Sequence, residues 1–314
     1  MVETRGRLIK GMLITVAGAF LWGFSGNCIQ FLQSAYQIDA LFLATVRMLI
    51  GGFLFLVPVY FRHYDALMEV LHDGKALLHT AVFGIAGLML CQLTYILAIE
   101  YTNAGTATVL QMFNVAIVLI VTCIIARRRP CGMEVLGVIL ALAATVLIAT
   151  KGDLGTLNIP LGGLVWGLLS AINVTVYVMY PRRLFSRWGS VTITGLGMFI
   201  GGLAALVIDV VLQLAFNVSS GAVGQTFQVP ALGIDGIVAL VVVIVLGTCG
   251  SFGLFLYGVS IVGGVRGSLL GAVEPVCSTV ISAVWLGTVF VWADWVGMVL
   301  MIGTTFVVSL IGDK

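Results

Sequence analysis

One acidic residue stands apart in a long apolar run. Glu274 lies near the middle of the stretch 264–285, which contains no other carboxylate. At the centre of a bilayer a charge costs about 2.5–3.5 kcal/mol on insertion scales, unless it faces a cavity or a partner. Pro275 follows it, has no N–H to donate, and so frees a backbone carbonyl one turn back. Gly267, Gly271, Glu274 and Ser278 fall on one helical face at i, i+4, i+7 and i+11, leaving space in front of the carboxylate. Gly271 and Pro275 thus read as a hinge beside a binding or coupling group. The bland alternative is a Glu locked in a permanent packing pair. The candidate partner is Arg47, about eight residues inside the apolar run 39–60. Its planar guanidinium could instead hold a substrate carboxylate. If the two pair, Arg47 would make Glu274 a poorer proton carrier.

The other candidates are neutral. Gln111 and Asn114 share a helical face, as do Trp166, Ser170, Asn173 and Tyr177, and so do Cys91 and Tyr95. Ser251 and Phe255 repeat the last spacing, and Trp22 and Asn27 belong to the first apolar run. Aromatic walls with sparse polar groups suit a small organic solute, whereas any single aromatic can equally be packing or lipid contact. Trp188, Trp285, Trp292 and Trp295 lie at run ends and read as interfacial anchors.

Enzymatic chemistry finds no footing. HExxH, GxSxG and GxxxxGK[ST] are all missing, and the histidines (63, 72 and 79) fall in one connecting stretch. The six cysteines form no CxxC and no Cys/His ligand spacing, which argues against a metal site. We therefore expect no enzyme and no cofactor.

The elements that must position these residues follow from composition. The 314 residues are 61% hydrophobic and 9% charged, with a mean hydropathy of +1.17. A soluble domain carries roughly 25% charged residues. Ten apolar stretches of near-spanning length run near 11–32, 39–60, 78–99, 104–125, 133–150, 160–180, 190–215, 235–257, 264–285 and 292–311. They must be helical, because lipid offers backbone N–H and C=O groups no partner and strand alternation is missing. The basic start before residue 11 resembles a signal peptide, but the run is long and has no small-x-small cleavage site, so it reads as a retained helix. With the N-terminus inside, Arg5, Arg7, Lys10, Arg62, Lys75, Arg127, Arg128, Arg129, Arg182, Arg183, Arg187 and Lys314 fall inside. Only Lys151 falls outside, and that bias places both termini in the cytoplasm.

The chain also repeats itself. At an offset of 160, Leu110, Gly137, Leu140, Thr145, Gly152 and Asp153 match Leu270, Gly297, Leu300, Thr305, Gly312 and Asp313, and Glu134 meets Asp294. At 150, Met48, Ile50, Gly51 and Gly52 match Met198, Ile200, Gly201 and Gly202. The expected organisation is one integrated membrane domain, all-α, made of repeats 1–152 and 153–314. Five helices is an odd number, so the second repeat would be inverted. Such repeats carry substrate sites near the midplane between them.

These residues resemble the EamA-type branch of the drug/metabolite transporter superfamily along essentially the whole chain. The resemblance rests on Leu21-Trp22-Gly23, on Thr45-Val46-Arg47-Met48-Leu49 and on Ala98-Ile99-Glu100-Tyr101-Thr102-Asn103-Ala104-Gly105. It also rests on Gly267-Ser268-Leu269-Leu270 followed by Glu274-Pro275. It implies a 5+5 bundle that moves small organic solutes, often amino acids or related metabolites and often outward, in a bacterial inner membrane. The fifth and tenth helices would be peripheral. Where many relatives have a Glu-Pro pair in the first half, this chain has Asn114-Val115, which argues against coupling through two symmetric carboxylates. The expected partners are a small-molecule substrate and the bilayer, with proton coupling as an option through Glu274; a homodimer is compatible with these features and not required by them. The other readings are a lipid-carrier translocase, with a cavity open sideways to lipid, and a receptor or assembly subunit that transports nothing.

The charge bias makes a direct prediction. On a cysteine-free background, a cysteine at 225 should react with a membrane-impermeant reagent in intact cells, and one at 75 only after lysis. The reverse pattern would overturn the orientation.

Overall fold

The computed structural model describes residues 2–153, 155–220 and 231–309, and among them every regular element is helical. Helix α1 runs Val2–Tyr36 and α2 Ala40–Arg62. The Asp39 side chain caps α2 by accepting from the amides of Leu41 (2.7 Å) and Phe42 (3.2 Å). A short helix α3, Tyr64–His72, occupies the stretch expected as a loop; it is amphipathic and buries Leu67 and Val70.

Rod α4 combines Gly74–Val82, a π-helical stretch Phe83–Met89 and Leu90–Tyr101. Rod α5 combines Ala104–Gln111 and Asn114–Ile125, with Asn103 as its cap on the Thr106 amide (2.8 Å). Helix α6 is Gly132–Thr150, and α7 combines Leu161–Met179 with Arg182–Trp188 on either side of Pro181. Helix α8 is Ser190–Ser220. Rod α9 combines Ile234–Val241, a second π-helical stretch Val242–Gly250 and Ser251–Val262. Rod α10 combines Gly264–Gly271 and Val273–Trp285, and α11 is Trp292–Ser309.

Among the described residues, eight helices are long and apolar enough to cross a membrane: Gly6–Tyr36, Ala40–Arg62, Gly74–Tyr101, Ala104–Ile125, Gly132–Thr150, Leu161–Trp188, Ser190–Ala215 and Ile234–Val262. The ninth and tenth stretches contain the shorter apolar helices Leu269–Trp285 and Trp292–Val307. Most of the connection expected at 216–234, including position 225, lies outside the described residues. So do the repeat partners Gly312 and Asp313.

Element boundaries recur at an offset near 160. The π stretches of α4 and α9 correspond, and the breaks in α5 and α10 correspond as well. Their causes differ. In α10 the break falls at Ala272, one turn before Pro275, whose ring cannot donate and crowds the carbonyl four residues back. In α5 there is no proline; the Asn114 side-chain amide donates to the Gln111 carbonyl at 2.8 Å, in competition with the backbone ladder.

Packing is reciprocal. Helix α2 lies on α8, α1 on the last segment of α9, and α7 on the last segment of α4. Helices α6 and α11 pair with each other, and the Thr304 hydroxyl donates to the Gly137 carbonyl at 3.3 Å. The first turns of that pair are built alike. Glu134 accepts from the Cys131 amide (2.7 Å) and binds Arg128; Asp294 accepts from the Val291 amide (2.9 Å) and binds Lys151. Both acids are buried. Lys151 follows the end of α6 and Asp294 opens α11, so these two helices run antiparallel.

At the α2–α8 crossing, a glycine of each helix rests on the backbone of the other. A Cβ on Gly52 would meet the Phe199 amide nitrogen at 2.6 Å, and one on Gly202 the Leu49 nitrogen at 2.7 Å. Gly84 and Gly201 are as tight: a Cβ on Gly84 would run into the Gly197 carbonyl, and one on Gly201 into the Gly84 carbonyl. Such small-residue contacts let helix backbones touch within a membrane.

Gly84→Ala forces backbone against backbone, so it should destabilise by about 1–3 kcal/mol, the usual cost of overpacking. Gly74→Ala has nothing within 4 Å of the added Cβ and should be neutral. Thermal midpoints in detergent check both; equal midpoints would mean that the crossing is looser than described.

Candidate functional site

A cavity of about 190 Å³ lies where α1, α2, α4, α5, α7, α9 and α10 converge. Sites for drug-sized ligands measure roughly 300–1,000 Å³, so this one suits a small solute. Seven of the eleven side chains proposed from the sequence for binding or coupling line it: Trp22, Arg47, Tyr95, Gln111, Asn114, Tyr177 and Glu274.

Glu274 stands in the first turn after the α10 break and enters no hydrogen bond or ion pair. Gly23 makes room for this geometry. A Cβ there would meet the Glu274 carbonyl at 2.7 Å and the Ser278 nitrogen at 3.0 Å, so α1 rests directly on the α10 backbone. Its neighbour Trp22 turns into the cavity and packs against Phe252 and Phe255, ring centroids 4.9 and 4.8 Å away.

Arg47 is buried and bound to neutral partners. Its Nε donates to the Thr248 hydroxyl at 3.0 Å and its Nη2 to the Gly247 carbonyl at 3.0 Å. Both acceptors belong to the π stretch of α9, where the widened turn disturbs the normal backbone ladder. The permanent Arg47–Glu274 pair, the bland alternative read from the sequence, is not formed: no N–O contact within 4 Å joins them. The cavity therefore presents one cation and one carboxylate that do not neutralise each other by contact.

Much of the remaining polar wall is tied to its neighbours, while the buried Ser25 hydroxyl has no partner. The Tyr95 hydroxyl lies 2.8 Å from the Thr108 hydroxyl, and Gln111 donates to Ser170 at 2.6 Å. Asn114 holds the α5 break, so its amide is both wall and local strut.

Four candidates do not line the cavity. Asn27 is fully buried, and its amide donates to the carbonyls of Gly23 (2.9 Å) and Ser278 (3.0 Å), tying α1 to α10. Asn173 donates to Thr94 at 3.2 Å, and Ser251 to the Gly247 carbonyl at 2.7 Å. Trp166 packs against the cluster around Ile96 and Ala107. The hinge residues Gly271 and Pro275 flank the Ala272 break rather than face the cavity.

Ser25, Gln92, Thr108 and Phe252 line the cavity without having been singled out for it. Thr108 lies three residues before Gln111 and Ser25 three after Trp22, so longer helical faces would have reached them. Phe252 replaces its neighbour Ser251 because the preceding π stretch shifts the helical phase.

Comparison with known proteins agrees with this architecture. Residues 9–150 and 161–310 each match the family model described as the EamA-like transporter family. A relative from Salmonella typhimurium, described as the uncharacterized inner membrane transporter YicL, is 32% identical over 305 residues, 97% of each chain. A solved crystal structure of a protein superposes with a TM-score of 0.64 over 96% of both chains at 17% identity, a likeness of fold alone.

The bonding pattern predicts unequal stabilities. Arg47→Gln removes two charge-assisted hydrogen bonds and should cost about 1.5–3 kcal/mol, whereas Glu274→Gln breaks none and should leave the thermal midpoint near that of the parent. Were the double variant to recover what Arg47→Gln loses, the two side chains would be paired after all.

Proposed function

The chain belongs to the EamA-like transporter family, and from that premise we propose that it is a secondary transporter of small organic solutes working by alternating access. The observation that carries the reading is the cavity itself, which gathers side chains from both matched segments around a carboxylate with no bonding partner. A fixed structural acid would be capped or paired, as Glu134 and Asp294 are.

In this reading the ten apolar stretches all span, as two inverted five-helix repeats, 1–152 and 153–314. The antiparallel α6–α11 pair supports the inversion, because its equivalent caps Arg128–Glu134 and Lys151–Asp294 sit at opposite ends of one helix pair. The reciprocal contacts of Gly52 with Met198 and Phe199, and of Gly202 with Met48 and Leu49, support a pseudo-twofold axis in the membrane plane. The substrates are amino acids or related metabolites, moved outward across a bacterial inner membrane, with both termini cytoplasmic. A cation and a carboxylate at separate points of an aromatic cavity suit a solute with complementary charges. Glu274 is the group that would carry a coupling proton.

Glu274→Gln keeps the side-chain volume and removes charge and titration. It should be made and inserted near parental levels while flux into liposomes falls at least about tenfold, the equivalent of roughly 1.4 kcal/mol. A screen of amino acids and metabolites, with and without a pH gradient, measures it. Parental flux from Glu274→Gln would remove the carboxylate from the mechanism, and a parental protein inert to every solute would favour a receptor or assembly role.

A further inference from the structure

A basic turn meets an apolar groove that shares no lining residue with the solute cavity. The groove, about 520 Å³, runs between the last segment of α5 and the first turns of α6. Its floor includes Leu119, Ile120, Ile124, Val138 and Ile139, and its end is closed by Arg127, Arg128 and Arg129. The three arginines are not equivalent. Arg128 is bidentate on buried Glu134, at 2.8 and 2.5 Å, and locks the turn. The side chains of Arg127 and Arg129 are exposed and enter no hydrogen bond or ion pair.

The backbone fixes the turn that presents them. Helix α5 ends with the Arg128 amide on the Cys123 carbonyl and the Arg127 amide on the Ile124 carbonyl, both 3.1 Å. This closure calls for a left-handed residue where glycine is usual. Arg127 occupies it at φ 50°, so a bulky cation is held where an L side chain costs about 1–2 kcal/mol. A second groove of about 600 Å³ lies on the opposite flank of the same α5 segment, between it and α7, and ends at exposed Arg182. The basic rim therefore extends around this end of the molecule.

We propose that the α5–α6 groove is a binding site for an anionic phospholipid. Its phosphate is held by Arg127 and Arg129, and an acyl chain lies along Ile120, Ile124 and Ile139. Charge complementarity selects the occupant. A neutral lipid would cover the same apolar floor but leave two adjacent cations without counter-charge, while basic pockets between membrane helices suit anionic headgroups. The inference does not depend on the transport reading, because nothing in it involves the solute cavity.

The test uses purified full-length protein in detergent. Native mass spectrometry and thermal midpoints are recorded with phosphatidylglycerol or phosphatidylcholine of identical acyl chains, and with glycerol phosphate alone. We expect at least about tenfold preference for phosphatidylglycerol, the equivalent of roughly 1.4 kcal/mol, and little effect of glycerol phosphate, since the groove contributes apolar contact. Arg127→Gly with Arg129→Gln should abolish the preference. Because glycine relieves the left-handed strain, that variant should melt no lower than the parent without lipid. Equal retention of both lipids by the parent, or an unchanged preference in the variant, would overturn the proposal. A response to glycerol phosphate as strong as to the lipid would reduce the site to a free-anion site.

Discussion

Where α2 crosses α8, glycines bring backbone against backbone. Gly52 faces the Phe199 amide, Gly202 faces the Leu49 amide, and Gly201 adds the Gly84 carbonyl of α4. No side chain larger than hydrogen fits at these points. In lipid there is little hydrophobic drive between helices, so association relies on close van der Waals fit and on polar contacts. The crossing sets how near the two matched segments come, and hence how far Arg47, just before it in α2, reaches toward α9. Were the helices a side chain further apart, the guanidinium would not meet Thr248 and Gly247, which it now binds at 3.0 Å each.

A chain of local irregularities follows from that proximity. The π stretches of α4 and α9 lie against α8 and α2 respectively, each across the junction between the matched segments. The breaks in α5 and α10 lie at the cavity, where Asn114 and Glu274 begin the segments after the break. Regular helices would carry no free backbone groups into this region. The departures supply them, within protein rather than toward lipid, where alone they are tolerated.

Much of this was legible in the sequence, and the remainder was hidden for identifiable reasons. Apolar runs marked the helices because lipid enforces both length and composition, and Glu274 stood out because charge is rare at that depth. The glycines at 51, 52, 201 and 202 showed as a repeat, although nothing in their spacing said that the two copies touch each other. The π stretches left no compositional trace, and the phase shift they impose turned Ser251 into the backbone and Phe252 into the cavity. Asn27 shows the limit of reasoning by residue type. A polar side chain in an apolar run suggested substrate contact, whereas its amide is taken by two carbonyls. Helix α3 was missed because its nine residues bury only Leu67 and Val70, a stretch too short to mark a span.

The two breaks differ in permanence. The bend before Pro275 is covalent in origin, since no rearrangement can give that nitrogen a proton to donate. The break at Asn114 rests on hydrogen bonds alone: the side-chain amide on Gln111 and the tightened backbone bonds of Phe113, Val115 and Ala116. An intramolecular hydrogen bond of this kind contributes about 0.5–1.5 kcal/mol net, close to thermal energy. Helix α5 thus has no covalent reason to stay broken, whereas α10 has one. A molecule assembled from two similar units thus carries one elbow set by covalent chemistry and one set by hydrogen bonds alone.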